Sequence, residues 1–233
     1  MTREDYLRRL WDTYRLVRVL ADKNGCRTLH IRHRRLERDA VLHVLASPCA
    51  AYEVLCGIRC DNLPEIYDAI SLEDGQAVLE EYVEGMTVAQ VMETGRYRYR
   101  GAKQVLTGVC HGLAVLHRYG IIHRDVKPEN VLVGKGGRVV LIDFNASRQG
   151  KGQDPDTVIL GTVGYAPPEQ LGLAPSDART DIYAAGVLFN VLLTGVHPSV
   201  RLADGRAGRI VKKCTGISPD DRYPTAEKLA DAL

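Results

Sequence analysis

His123-Arg124-Asp125-Val126-Lys127-Pro128-Glu129-Asn130 is the stretch on which the reading of this chain turns. It places a carboxylate, a cation and an amide within six residues. Downstream, across strand-like sequence, stands Asp143-Phe144-Asn145, and further on Ala166-Pro167-Pro168-Glu169. A chance cluster in a basic loop would not be followed, in this order and at these intervals, by a strand, Asp-Phe and Pro-Glu.

The octet is close to H-R-D-L-x-x-x-N with Val126 for Leu, the Asp-Phe pair sits where D-F-G would be, and Pro168-Glu169 ends an A-P-E-like turn. By these motifs the chain resembles the protein kinase superfamily, most nearly the small eukaryotic-like Ser/Thr kinases of bacteria. The resemblance covers roughly residues 14 to 231 and weakens sharply before residue 60. It implies a bilobal α+β fold with a β-rich N-lobe up to residue 82, a hinge at about 81–85 and a helical C-lobe over 86–233. Thr162, Asp181 and the pair Glu169 and Arg222 match further members of the family pattern. Phe144, His123, Leu55 and Ile66 match its hydrophobic spine.

Composition agrees with a globular protein and excludes some partners. In 233 residues, 31 Lys and Arg stand against 29 Asp and Glu, a net charge of +2. Such balance gives no argument for nucleic acid or an anionic membrane. Met1 to Tyr14 is charged throughout, unlike a signal peptide, and the apolar run Ala184 to Val196 is interrupted by Asn190 and too short for a bilayer. The expectation is a cytoplasmic protein. The six cysteines lack paired C-x-x-C spacing and read as free buried thiols. Cys56 and Cys60 would share one side of a helix.

Thr2 with Asp5 three residues on suggests a capped first helix. Strand-like segments follow at 14–20, 26–34 and 39–45, a helix at 50–59, and strands at 64–70 and 76–83 around Glu73-Asp74-Gly75. Residues 101–119 read as a long helix with Val105, Val109, Leu113 and Leu116 on one face. A hairpin over 131–142 and helices at 178–193, 207–214 and 225–233 complete the pattern.

The resemblance implies roles. Asp125 would accept or orient the proton of a substrate hydroxyl, and Lys127 would offset charge on the transferring phosphate, with Thr162 bonding both. Asn130 and Asp143 offer hard oxygen ligands suited to Mg²⁺. ATP would lie against Leu20, Arg27, Val41, His43, Glu81, Val83 and Leu132. A lysine at position 127 is the Ser/Thr form, so a protein Ser or Thr acceptor is implied; the oligomeric state is not readable. Arg124 could pair with a phosphate on Thr157 and order the activation segment. Asn145 stands for the last Gly of D-F-G, and Asn tolerates positive φ comparatively well.

Three parts of the N-lobe pattern are replaced. Ala21-Asp22-Lys23-Asn24-Gly25-Cys26 stands in place of the Gly-rich loop, His43 in place of the β3 lysine, and Ala51 in place of the αC glutamate. Histidine is shorter than lysine and mostly neutral at pH 7. Glu80 would put a carboxylate near the adenine pocket. Two readings follow: an active kinase in which Arg27, Lys23 or His43 reaches the phosphates, or a pseudokinase serving as a nucleotide-binding or scaffolding module. A small-molecule phosphotransferase is disfavoured by Thr162, Pro167-Pro168-Glu169 and Arg222.

Overall fold

The computed structural model describes residues 1–23, 25–149, 165–171 and 176–233. Asn24, Thr157 and Thr162 lie outside the described residues. The chain is α+β and divides into two compact units, Met1–Arg59 with Pro64–Val83, and Cys60–Leu63 with Glu84–Leu233.

The first unit opens with α1 (Arg3–Thr13). Thr2 caps it as its sequence suggests, its Oγ1 accepting from the Asp5 N–H at 3.2 Å. Five strands follow: β1 (Tyr14–Lys23), β2 (Cys26–His33), β3 (Asp39–Leu45), β4 (Ile66–Leu72) and β5 (Gly75–Glu81). They form one antiparallel sheet in the order β1-β2-β3-β5-β4. Period-two alternation sorts the side chains. Leu29, Ile31, Ala40, Leu42, Val44 and Ala77 are buried in one cluster, against which Tyr6, Leu7, Leu10 and Trp11 of α1 pack. The opposite face carries Thr28, His30, Val41, His43, Val78 and Glu80, paired row by row across β2, β3 and β5. The β4–β5 hairpin needs glycine at position 75: its φ is +150°, and a Cβ there would sit 1.9 Å from the Leu45 carbonyl oxygen.

Between β3 and β4 lies α2 (Ala50–Leu55), shorter than the helix expected over 50–59. Cys56 leaves the helical region with ψ 121°, and Gly57 has φ +80°. Cys56 and Cys60 therefore do not share a helix face. Only Cys110 and Cys214 are buried; Cys56 is exposed and the other three are half-buried, correcting the expectation of buried thiols. No group of three or more His, Cys, Asp or Glu suited to a metal occurs among the described residues.

The second unit is mainly helical. A short strand β6 (Gly85–Thr87) leads into α3 (Val88–Glu93), fixed by a capping box between Thr87 and Gln90. The central α4 (Tyr99–Arg118) buries Val105, Val109, Leu113 and Leu116, the stripe its spacing predicts. Then come β7 (Ile121–Ile122), β8 (Val131–Gly134), β9 (Val139–Leu141) and β10 (Arg148–Gln149), with β6-β8-β9 as one sheet and β7 paired to β10. Finally α5 (Ala178–Thr194) and α7 (Ala226–Asp231) pack beside α4, and α6 (Gly205–Cys214) packs on α5. Among the described residues no helix is long and apolar enough to cross a membrane.

Candidate active site

The loop between β7 and β8 is hung on a buried carboxylate. Asp181, fully buried on α5, accepts the backbone N–H groups of His123 at 2.9 Å and Arg124 at 2.8 Å. His117, from the last turn of α4, places Nε2 2.7 Å from the same carboxylate. Burial works against the Asp181 charge. The His117 hydrogen bond and charge, with His123 and the Arg124 N–H, outweigh it and hold the carboxyl below its ordinary range. His117 was not singled out from sequence, although the signal exists: it continues the stripe Val105, Val109, Leu113 at the next four-residue step, where a polar residue is unexpected.

Above this anchor the loop closes on itself. His123 is fully buried, its ring 5.7 Å from Phe144 in an edge-on contact. Its Nε2 lies 3.2 Å from the Ile142 carbonyl oxygen, and its Nδ1 accepts the Asp125 N–H at 3.3 Å. Arg124 is held at φ +64° and Asp143 at φ +68°, a left-handed geometry unusual for these residues. The positive φ of the Asp-Phe-Asn stretch thus falls on Asp143 and not on Asn145, correcting the expectation for the glycine replacement. Asn145 instead donates its N–H to Asp143 Oδ1 at 3.2 Å.

The chemistry-bearing side chains converge. Lys127 Nζ is 2.7 Å from Asp125 Oδ2, both being mostly buried. Asn130 donates from Nδ2 to the Asp125 carbonyl oxygen and to its carboxylate, each at 2.9 Å. That pairing fixes which end of the amide is which and turns Asn130 Oδ1, an acceptor, away from Asp125. The Ile142 N–H donates to the Asn130 carbonyl oxygen at 2.9 Å, so the chain enters Asp143 beside Asn130. Arg124 Nε donates to the Ala146 carbonyl oxygen at 2.7 Å, and Gln170 donates to the Arg124 carbonyl oxygen at 3.0 Å. Glu169 and Arg222 form a buried bidentate pair, to which Thr180 adds a hydroxyl donor. Leu132 lies on β8 opposite Val140.

The remaining expected nucleotide contacts lie on the first unit, and two of them are placed unexpectedly. His43 is 4% exposed. Its Nε2 is 2.8 Å from Glu80 Oε1 and its Nδ1 3.2 Å from Thr28 Oγ1, with the buried Tyr52 ring 5.7 Å away. Glu80 was expected near an adenine pocket; it is the carboxylate partner of His43. Glu53, on α2, accepts instead from Ser71 and Gln76. Arg27 pairs with Val44, whereas Thr28 pairs with His43, so alternation puts Arg27 on the opposite sheet face from His43. Val41 is buried between His30 and Glu80 in its row. His30 stacks on Tyr82 at 3.9 Å and bonds Asp39 at 2.7 Å, while Leu20 is 41% exposed on β1. Glu81 closes β5, with the Glu65 N–H donating to its carboxylate at 3.2 Å, and Val83 ends this segment of the unit.

Comparison with known proteins agrees with these motifs. The family profile described as Protein kinase domain matches residues 48–231. Serine/threonine-protein kinase PknB of Mycolicibacterium smegmatis is 28% identical over 94% of this chain and 42% of its own length. Serine/threonine-protein kinase PknL of Mycobacterium tuberculosis is 35% identical, covering 84% of this chain and 53% of the relative. A probable serine/threonine-protein kinase of Clostridium perfringens is 35% identical, covering 81% of this chain and 30% of the relative. The chain thus spans about half, or less, of the length of these relatives. The profile match begins only after β3, so the strands bearing His43 and Lys23 lie outside it.

Proposed function

We propose, from the premise that this chain belongs to the protein kinase family, that it transfers the γ-phosphate of ATP to a serine or threonine hydroxyl of a protein. The observation that carries the reading is the Asp125, Lys127 and Asn130 cluster, held by the Asp181 anchor beneath it. Packing alone does not call for a carboxylate, an ammonium and an amide turned onto one another in a loop.

In this reading Asp125 orients the acceptor hydroxyl and takes its proton as the new oxygen–phosphorus bond forms. The bond from phosphorus to the bridging oxygen of ADP breaks, and the electron pair leaves with ADP. Lys127 offsets the charge on the phosphoryl oxygens. Asn130 Oδ1 and the Asp143 carboxylate are hard oxygen donors that suit Mg²⁺, whose role when bound is to neutralise phosphate charge. Arg124 and Thr157 would form a regulatory pair after phosphorylation. A cytoplasmic location and protein substrates belong to the same proposal.

The test is transfer of labelled phosphate from Mg-ATP to the chain itself and to a basic protein, beside Asp125→Asn. Transfer that depends on Asp125 supports the kinase. The second reading, a pseudokinase, is favoured by one observation: His43 is buried against Glu80. Binding of Mg-ATP without any transfer would select it.

A further inference from the structure

We propose that Lys23 is the cation that holds the nucleotide's phosphates on the first unit, in place of the missing lysine; this rests on the kinase reading. Three basic side chains compete for that task, and the sheet separates them. His43 has Glu80 on one ring nitrogen and Thr28 on the other, and it is 4% exposed. Turning it toward an outside phosphate would take away the Glu80 Oε1 partner and leave the buried Glu80 carboxyl group with neither oxygen bonded, since Oε2 already lacks a partner. That loss is costly in a dry interior. Arg27 projects from the opposite face, the one built on Leu29 and Ile31.

Lys23 is placed differently. On β1, Ala21 pairs with Thr28 and Lys23 with Cys26, so Lys23 shares the face of Thr28 and His43. It stands at the last rung before the β1–β2 turn, where Gly25 takes φ +74°. Its side chain is exposed. Every other cation on that face is engaged: Arg15 with Glu37, Arg18 with the Tyr82 hydroxyl, Arg32 and His30 with Asp39. Among the described basic residues of this face, Lys23 alone has no side-chain hydrogen-bond or ion-pair partner. The register separates it from His43 by two strand spacings, about 10 Å, and by two residues along the strand. The His43 row lies between the Val41 row and the turn but is buried, so phosphates reaching this face at the turn would meet Lys23 and not His43.

The experiment compares binding of Mg-ATP and of adenosine to the full chain and to Lys23→Met, Lys23→Arg and Arg27→Met. Lys23→Met keeps the stem and removes the charge. It should weaken Mg-ATP about 10- to 100-fold, the range of a hydrogen bond to a charged group, and leave adenosine unchanged. Lys23→Arg should restore most of the affinity, and Arg27→Met should bind as the unaltered chain does. If Lys23→Met binds Mg-ATP normally, or if Arg27→Met is the weakened variant, the assignment to Lys23 falls while the kinase reading stands. If the unaltered chain binds neither compound, the assignment and the reading fall together.

Discussion

Asp125 combines an expected catalytic role with little structural responsibility. Among the described residues its carboxylate bonds Lys127 and Asn130, both on its own loop. Asp125→Asn should therefore lower phosphate transfer by about 10²- to 10⁴-fold, the usual contribution of a positioned base. The melting temperature should move by no more than a degree or two. Equal rates for both proteins in a labelled-phosphate assay would remove Asp125 from the chemistry. Asp181 is the reverse case: fully buried, and structural through the backbone of His123 and Arg124. Its carboxyl is held below the ordinary range in the folded state. A lowered folded value means the stabilisation is complete above the unfolded value, about 3.9, and is lost as pH falls through the folded one. Urea midpoints of the wild type should thus drop as pH falls below about 4, and Asp181→Asn should show a shallower fall over the same window. Parallel pH profiles would place the charge dependence elsewhere.

Among the elements, α5 and α6 meet so closely that the contact can be tested by one methyl group. A Cβ on Gly186 would lie 2.2 Å from the Cys214 Cβ, and both helices are fixed by their buried faces. Gly186→Ala should cost about 1–3 kcal/mol as overpacking, in spite of alanine's better helix propensity. Chemical denaturation reads the sign directly, and a more stable variant would show that α6 can slide. The limits of β3 and the buried stripe of α4 were legible because periodicity persisted over enough residues to show. The three-residue β6 and six-residue α3 were too short for a periodic signal, though Thr87 and Gln90 at capping-box spacing marked the helix start. The contraction of α2 was hidden because nothing in Cys56-Gly57 distinguishes an early stop from a tolerated glycine. The His43–Glu80 pair was out of reach for another reason. His43 faces Val78, and Glu80 lies one diagonal step away, so the pairing exists only in one register of β3 on β5. The two irregularities of β1, between Leu16 and Arg18 and between Val19 and Ala21, decide in the same way which face receives Lys23.

Over the whole molecule, the motifs that identify the family crowd into the second unit, while two of the three N-lobe departures, the Gly-rich-loop segment and His43, lie on one sheet in the first and the third, Ala51, on α2 beside it. That sheet is covered on its apolar side by α1, through Tyr6, Leu7, Leu10 and Trp11. Salt bridges from Met1 to Glu73 and from Arg3 to Asp74 tie the start of the helix to the β4–β5 turn. Exposed pairs of this kind contribute little, so the apolar contacts carry the docking. Trp11 is the one tryptophan in the chain, which makes its fluorescence a reporter of this layer alone. Far-UV ellipticity, by contrast, is dominated by α4 and α5, the two longest helices, both in the second unit. Leu10→Asp would put a charge into the seam between α1 and the sheet. It should move the fluorescence midpoint in urea to lower concentration by about 1 kcal/mol of stability or more, a part of the worth of a fully buried leucine, because Leu10 is half-buried. The ellipticity midpoint should stay near that of the unaltered chain if each unit unfolds on its own core. Midpoints that shift together would mean that the two units unfold as one cooperative body. The first unit would then owe its stability to the second as well as to α1.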